Sequence, residues 1–230
     1  KSNPKRNWYI WIEAAADGQP PNNWIGRFDG LSAWEWDSGT NQYYLHSFLK
    51  EQPDINWRDP GCEAAMLNVL DFWLKKGVDG FRVDAAYRAY KDPQLRDNPV
   101  NESWQPGMEP SDRLHEVYNK NVADIHTFNK IMRSFVDARG DHLLIAELYK
   151  PLELIIKHYG NNDEFHLPLN SALMSRDLQW NAEYVRGIVE CYESLLPQDA
   201  WPNWSLGNHD KHRIASVLGM EQAKIGMMLL

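Results

Sequence analysis

The sequence predicts an α/β fold, a parallel sheet covered by helices, with an irregular lobe ahead of it. Three observations lead there. Short apolar runs at Val78 to Asp84 (VDGFRVD) and His142 to Glu147 (HLLIAE) end on acids, as buried parallel strands do when their C-terminal ends open into a site. Segments with apolar residues at helical spacing separate and follow them. Before about Pro60 neither the helical nor the strand period is sustained.

In the lobe, residues 1–58, the clusters GQPPNN, DGLS and DSGTNQ break the chain into turns and short strands such as Gln42 to Phe48. At Asp59-Pro60 the character changes. Asp59 can cap a helix, Pro60 suits its first turn, and Met66, Val69, Leu70, Trp73 and Leu74 form one apolar face until Gly77 ends it. Strand VDGFRVD follows, then a loop rich in Pro and Asn from Lys91 to Pro110. A long helix carries Ile125, Phe128, Ile131, Met132, Phe135 and Val136 on one face and stops near Gly140, ahead of strand HLLIAE. A weak strand is expected at Glu164 to Leu167, and a helix with Val185, Ile188, Val189, Tyr192, Leu195 and Leu196 comes after it. A fourth strand is expected at Asn203 to Gly207, and Ile214, Val217 and Leu218 begin the next helix. Four strands with these helices, over residues 59–230, fit a doubly wound sheet or half of a (β/α)8 barrel.

Composition narrows the function classes. The 230 residues are 43% hydrophobic, enough for a sizeable core, and the net charge of −8 with no Lys/Arg cluster excludes a nucleic-acid binder. No apolar run is long enough for a membrane helix and no leader segment is evident, so no membrane partner and a cytoplasmic location are expected. Cys62 and Cys191 both fall in apolar helical patterns and are expected to be buried, reduced filler. Most of the 11 tryptophans lie in the lobe, where core packing and a docking face for a sugar ring are both open. The start at Lys1 and the end inside the apolar run Ile225 to Leu230 suggest part of a longer protein.

The chemistry sits at the strand ends. Asp84 follows GFRV, Glu147 follows LLIA, and Asp210 follows SLGNH. In a parallel α/β fold all strand C-termini share one face, so these three carboxylates are expected to converge there. One acid alone reads most simply as a solvated strand end or a helix cap; three together need a metal, a cationic partner, or a reaction that uses them. Three carboxylates could hold Mg²⁺ or Ca²⁺, but only His209 joins the set, and the acid-pair role fits better. Arg82 lies on the same strand side as Asp84 and supplies the fixed positive charge that suits a nucleophilic carboxylate, while the apolar run before Glu147 suits a proton donor. His46, in a strand pattern, and Arg213, at a helix start, also lie near motif residues, and for each a structural and a functional role are both open.

GFRVD, the IAE of LLIAELY, and GNHD resemble three short regions of the α-amylase superfamily of glycoside hydrolases, in the family's order. QPDIN at Gln52 to Asn56 resembles the QPDLN signature of its oligo-1,6-glucosidase and α-glucosidase branch, with Ile55 in place of leucine, and RNWYIW, PPNNW and QYYLHSFL are similar to that branch's protruding lobe. The resemblance implies a partial TIM barrel, strands four to seven, with the lobe inserted before the third helix. It implies a retaining α-glucosidase acting on small α-glucosides from the non-reducing end, with Asp84 as nucleophile, Glu147 as acid/base, Asp210 as transition-state stabiliser, Arg82 and His209 as substrate-binding residues, and neither cofactor nor metal. Ala85 after the nucleophile implies α-1,4 rather than α-1,6 preference. Glucosyl-transferring relatives of the sucrose isomerase or trehalose synthase type, and catalytically inactive amylase-like partner domains, share the fold. The segment alone lacks the outer strands of a closed barrel and is expected to be inactive by itself.

Overall fold

The computed structural model describes residues 1–174 and 178–230. The chain forms two compact units, residues 1–73 with 87–128, and residues 74–86 with 129–230.

The first unit contains the lobe. Strands β1 (Trp11–Ile12), β2 (Trp34–Asp37) and β3 (Gln42–Leu45) form an antiparallel sheet in the order β1-β3-β2. The turn cluster DSGTNQ makes the hairpin between β2 and β3, with Asn41 at φ +50°, a conformation that asparagine tolerates. Trp24, Ala33, Trp34 and Leu45 are buried together, and the Trp24 and Trp34 rings stack at 6.0 Å. Each indole N–H finds an acceptor: Trp24 donates to the Arg96 carbonyl at 2.9 Å and Trp34 to Asn22 Oδ1 at 2.8 Å. These two tryptophans are core, whereas Trp36 lies on the surface, edge-on to Tyr43. His46 is buried with Nδ1 against the Phe48 carbonyl at 3.0 Å.

Helix α1 (Pro60–Lys75) begins where the cap pattern places it: Asp59 Oδ1 accepts from Cys62 N–H at 2.9 Å. Gly77, at φ +92°, turns the chain out of it. The apolar face is only partly buried. Cys62 is fully enclosed, but Val69, Phe72 and Trp73, which share one side of the helix, remain about half exposed.

The QPDIN segment is tied down by charge. Asp54 accepts from Ser47 N–H at 2.8 Å and Ser47 Oγ at 2.6 Å, and pairs with Lys91 Nζ at 2.8 Å. Lys91 also donates to the Arg88 carbonyl, and Arg88 pairs with buried Glu116 at 2.9 Å. Burial opposes the charge on Asp54, but the Lys91 ammonium and the Ser47 donors outweigh it and hold the carboxyl below the ordinary carboxylate range.

In the second unit, β4 (Gly80–Val83), β5 (Leu143–Ala146) and β6 (Leu167–Pro168) form a parallel sheet in sequential order. Helix α2 (Ile125–Asp137), which starts in the first unit, connects β4 to β5, and α3 (Leu152–Ile155) lies between β5 and β6. The β4–β5 approach requires Gly80: a Cβ there would stand 2.1 Å from the Leu143 carbonyl oxygen. Helix α4 (Ala182–Leu195) starts at Asn181, whose side chain accepts from Tyr184 N–H, and buries Val185 with Leu173 and Leu206. Tyr192 on α4 meets Tyr159 hydroxyl to hydroxyl at 2.8 Å. Helices α5 (Ile214–Leu218) and α6 (Met220–Met227) are separated by Gly219 at φ +84°.

Two expectations need correction. The strand expected at Asn203 to Gly207 is reduced to one parallel bridge, Trp204 to Asn170. Pro202 cannot donate to a ladder, and Ser205 Oγ bonds the Gly207 carbonyl at 2.9 Å, a local alternative to strand pairing. Cys191 is exposed rather than buried, on the outer side of α4, while Cys62 is buried as expected. Both thiols are free.

Removing one partner of the Asp54–Lys91 pair strands the other charge in the interior. Asp54→Ala is expected to cost about 3 to 5 kcal/mol of stability in urea unfolding, and the double change Asp54→Leu with Lys91→Met considerably less. Because the Asp54 pKa is depressed, its contribution is present above the ordinary value of 3.8 and lost as pH falls below it. Acid unfolding of the parent should therefore be steeper below that value than that of the double variant.

Candidate active site

Register sets the geometry. Val83 pairs with Ala146 across β4 and β5, so Asp84 and Glu147, the next residue on each strand, leave the sheet side by side at its C-terminal edge. Arg82, opposite Ile145, has the same side-chain parity and stands directly before Asp84. Its guanidinium forks: Nη1 pairs with Asp84 Oδ1 and Nη2 with Glu147 Oε1 at 2.7 Å. The two acids differ sharply in exposure, with the Asp84 side chain 73% accessible and that of Glu147 6%.

Glu147 collects two further donors. Ala85 N–H donates to Oε2 at 3.0 Å and the Tyr149 hydroxyl to Oε1 at 2.9 Å. Ala85 holds a left-handed backbone, φ +40°, and so turns its amide toward Glu147 immediately after Asp84. Such a conformation in a residue with a Cβ is strained and is retained only where surrounding contacts fix it.

The third acid comes from the GNHD segment. Asn208 Nδ2 donates to the Tyr149 hydroxyl, its Oδ1 accepts from Asp210 N–H at 3.1 Å, and its carbonyl accepts from Arg213 Nη1 at 3.1 Å. Asp210 is thus linked to the other two acids through Asn208 and Tyr149. His209 Nε2 lies 3.4 Å from Asp210 Oδ1, and both side chains are mostly exposed. Arg82 therefore gathers Asp84 and Glu147, while Asp210 and His209 form a separate surface pair. Lys211 places its ammonium 5.2 Å from the centre of the Tyr149 ring.

Three participants escaped the sequence reasoning: Tyr149, Asn208 and the Ala85 amide. For the first two the signal was present, since each lies two residues from an acid in its own motif, Tyr149 after Glu147 and Asn208 before Asp210. Arg213, for which both roles were open, braces the Asn208 backbone.

A parallel α/β sheet with two carboxylates forked on one arginine at its C-terminal edge can support chemistry that needs one ionised and one proton-donating acid. The chain belongs to the α-amylase family, whose catalytic domain (Alpha amylase, catalytic domain) matches residues 1–230, and it lies on the α-glucosidase branch. An alpha-glucosidase of Candida albicans is 43% identical over 99% of this chain and 42% of its own length. An alpha-glucosidase of Culex pipiens is 34% identical over 97% of this chain and 40% of its own. The crystal structure of an alpha-glucosyl transfer enzyme superposes with a TM-score of 0.85 at 33% identity, over 96% of this chain and 42% of that one. The chain thus spans about two fifths of the length of the relatives it matches. No helix among the described residues is long and apolar enough to cross a membrane.

Burial and the hydrogen bond to Glu147 push the Tyr149 phenol from 10.0 up to about 12, against the opposing pull of Asn208. Tyr149 therefore stays a donor throughout the neutral range. An ultraviolet titration of the native protein should show a late-ionising tyrosine that Tyr149→Phe removes. The raised value also means that this group's contribution to stability is intact below 10.0 and lost as pH rises toward 12.

Proposed function

We propose that this chain carries the catalytic centre of a retaining α-glucosidase, with Asp84 as nucleophile and Glu147 as general acid/base. The observation that carries this is the Arg82 fork. It joins two carboxylates at neighbouring strand ends through one guanidinium, and a double displacement needs such a pair, roughly 5 to 5.5 Å apart. Asp84, open to solvent, attacks the anomeric carbon while Glu147 gives a proton to the departing glycosidic oxygen; the glycosyl–Asp84 ester forms and the sugar leaves as an alcohol. Glu147 then takes a proton from water, which opens the ester and releases glucose with retained configuration. Asp210 acts on the positively charged transition state, and His209 and Arg82 bind substrate hydroxyls and the nucleophile. In this proposal β4, β5 and β6 are strands four to six of a (β/α)8 barrel, and the Trp204 bridge marks the seventh.

The substrate is a short α-glucoside cut from its non-reducing end, with α-1,4 linkage favoured. Ala85 supports that choice: its methyl leaves room beside the bond, and a β-branched residue would be poorly accommodated at φ +40°. Such a difference is worth only about 1 to 3 kcal/mol, so kcat/KM for maltose should exceed that for isomaltose within that range. A clear isomaltose preference would refute it. Glucosyl transfer is the second reading, favoured by the likeness to the alpha-glucosyl transfer enzyme; it predicts that new disaccharides outweigh free glucose among the products.

The roles are separable in the complete protein. Asp84→Asn and Glu147→Gln should each lower turnover of maltose roughly a thousandfold or more. With an activated aryl glucoside, azide should rescue Glu147→Gln and give α-glucosyl azide, because the ester on Asp84 still forms. Asp84→Asn should give no retained product. Parent-like turnover of maltose in either variant would overturn the assignment.

A further inference from the structure

The donors around Glu147 are unevenly shared between its two oxygens. Oε1 accepts from Arg82 Nη2 and from the Tyr149 hydroxyl, which uses both of its lone pairs. Among the described residues Oε2 accepts only from the Ala85 amide, which leaves it a second lone pair for substrate. The direction of the Tyr149 bond is also set. Asn208 Nδ2 has only protons to offer, so the phenol oxygen accepts from Asn208 and must turn its own proton toward Glu147. Lys211 lies over one face of the ring, so two residues of the 208–211 segment hold Tyr149.

We propose that Tyr149 is a positioning residue for the acid/base: held by Asn208, it occupies Glu147 Oε1 and so leaves Oε2 as the atom that carries the proton to and from the substrate. This rests on the acid/base role of Glu147 proposed above. The charged groups around the phenol are Glu147 beyond the β5 end, Arg82 on β4, and Asp210 and Lys211 on the segment before α5. None can substitute for the phenol as a neutral donor. Without the hydroxyl, Oε1 also has a free lone pair, and the proton is shared between a productive and an unproductive oxygen.

The test separates positioning from general support of the fold by varying the leaving group. Maltose needs a proton on its departing oxygen; a dinitrophenyl α-glucoside does not. In the complete protein, Tyr149→Phe should lower kcat/KM for maltose about tenfold and for the dinitrophenyl glucoside less than about twofold. Asn208→Ala, which frees the phenol to rotate, should show the same imbalance more weakly, and circular dichroism should report parent-like folding for both. Equal losses on the two substrates, or no loss in the well-folded Tyr149→Phe protein, would overturn the proposal. Glu147→Gln is the control. If it shows the leaving-group imbalance and Tyr149→Phe does not, only the positioning role fails; if it shows none, the acid/base assignment falls and the positioning role with it.

Discussion

Two carboxylates at the ends of adjacent parallel strands repel each other, and the guanidinium of Arg82 between Asp84 and Glu147 is what makes their proximity tolerable. A lysine at this position would offer a point charge, whereas the planar fork reaches both acids at once. The fork in turn depends on the β4–β5 register, because a slip of one residue would turn Arg82 and Asp84 to the face opposite Glu147. Gly80 permits the strand approach that fixes this register. Backbone pairing and side-chain charge thus specify the same alignment.

The environments of the two acids diverge from this shared clamp. Asp84 has Arg82 and open solvent, the setting that suits its proposed role as nucleophile. Glu147 is enclosed by Arg82, Tyr149 and the Ala85 amide, the setting that suits its proposed role as acid/base. The left-handed Ala85 connects the two, since the turn that ends β4 after Asp84 also aims the amide at Glu147.

The first unit solves a different problem. A lobe rich in Asn, Asp, Gly and Pro has few strand residues with which to satisfy its backbone, and side chains take over much of that work. Asn22, Asn23 and Asn98 bond backbone groups across long sequence separations, and Asp54 secures both the Ser47 backbone and the Lys91 ammonium. The aspartate of QPDIN is therefore an internal anchor in this unit. Buried ion pairs of this kind contribute little net stability against apolar substitutes, but they penalise any arrangement that separates the partners.

Much of this was legible in the sequence because it is local. Caps, glycine stops and periodicity located α1, α2, α4, β4 and β5, and the acids at strand ends followed from the common direction of parallel strands. Motif resemblance identified the family, and the comparisons bear it out. Tertiary structure decided the rest. Asn203 to Gly207 was expected as a strand yet forms one bridge, because pairing requires a backbone donor that Pro202 lacks and a Gly207 carbonyl that Ser205 Oγ occupies locally. Cys191 fits an apolar pattern yet faces outward, since periodicity marks a stripe without saying what covers it. The sequence by itself determined that Asp84 and Glu147 lie at strand ends; only the folded chain decided that Arg82 joins them, that Asp210 follows no strand and turns to His209, and that Tyr149 and Asn208 connect the segments. Hydrogen bonds between residues some sixty positions apart depend on register and rotamer together, and neither is written in the spacing of residue types.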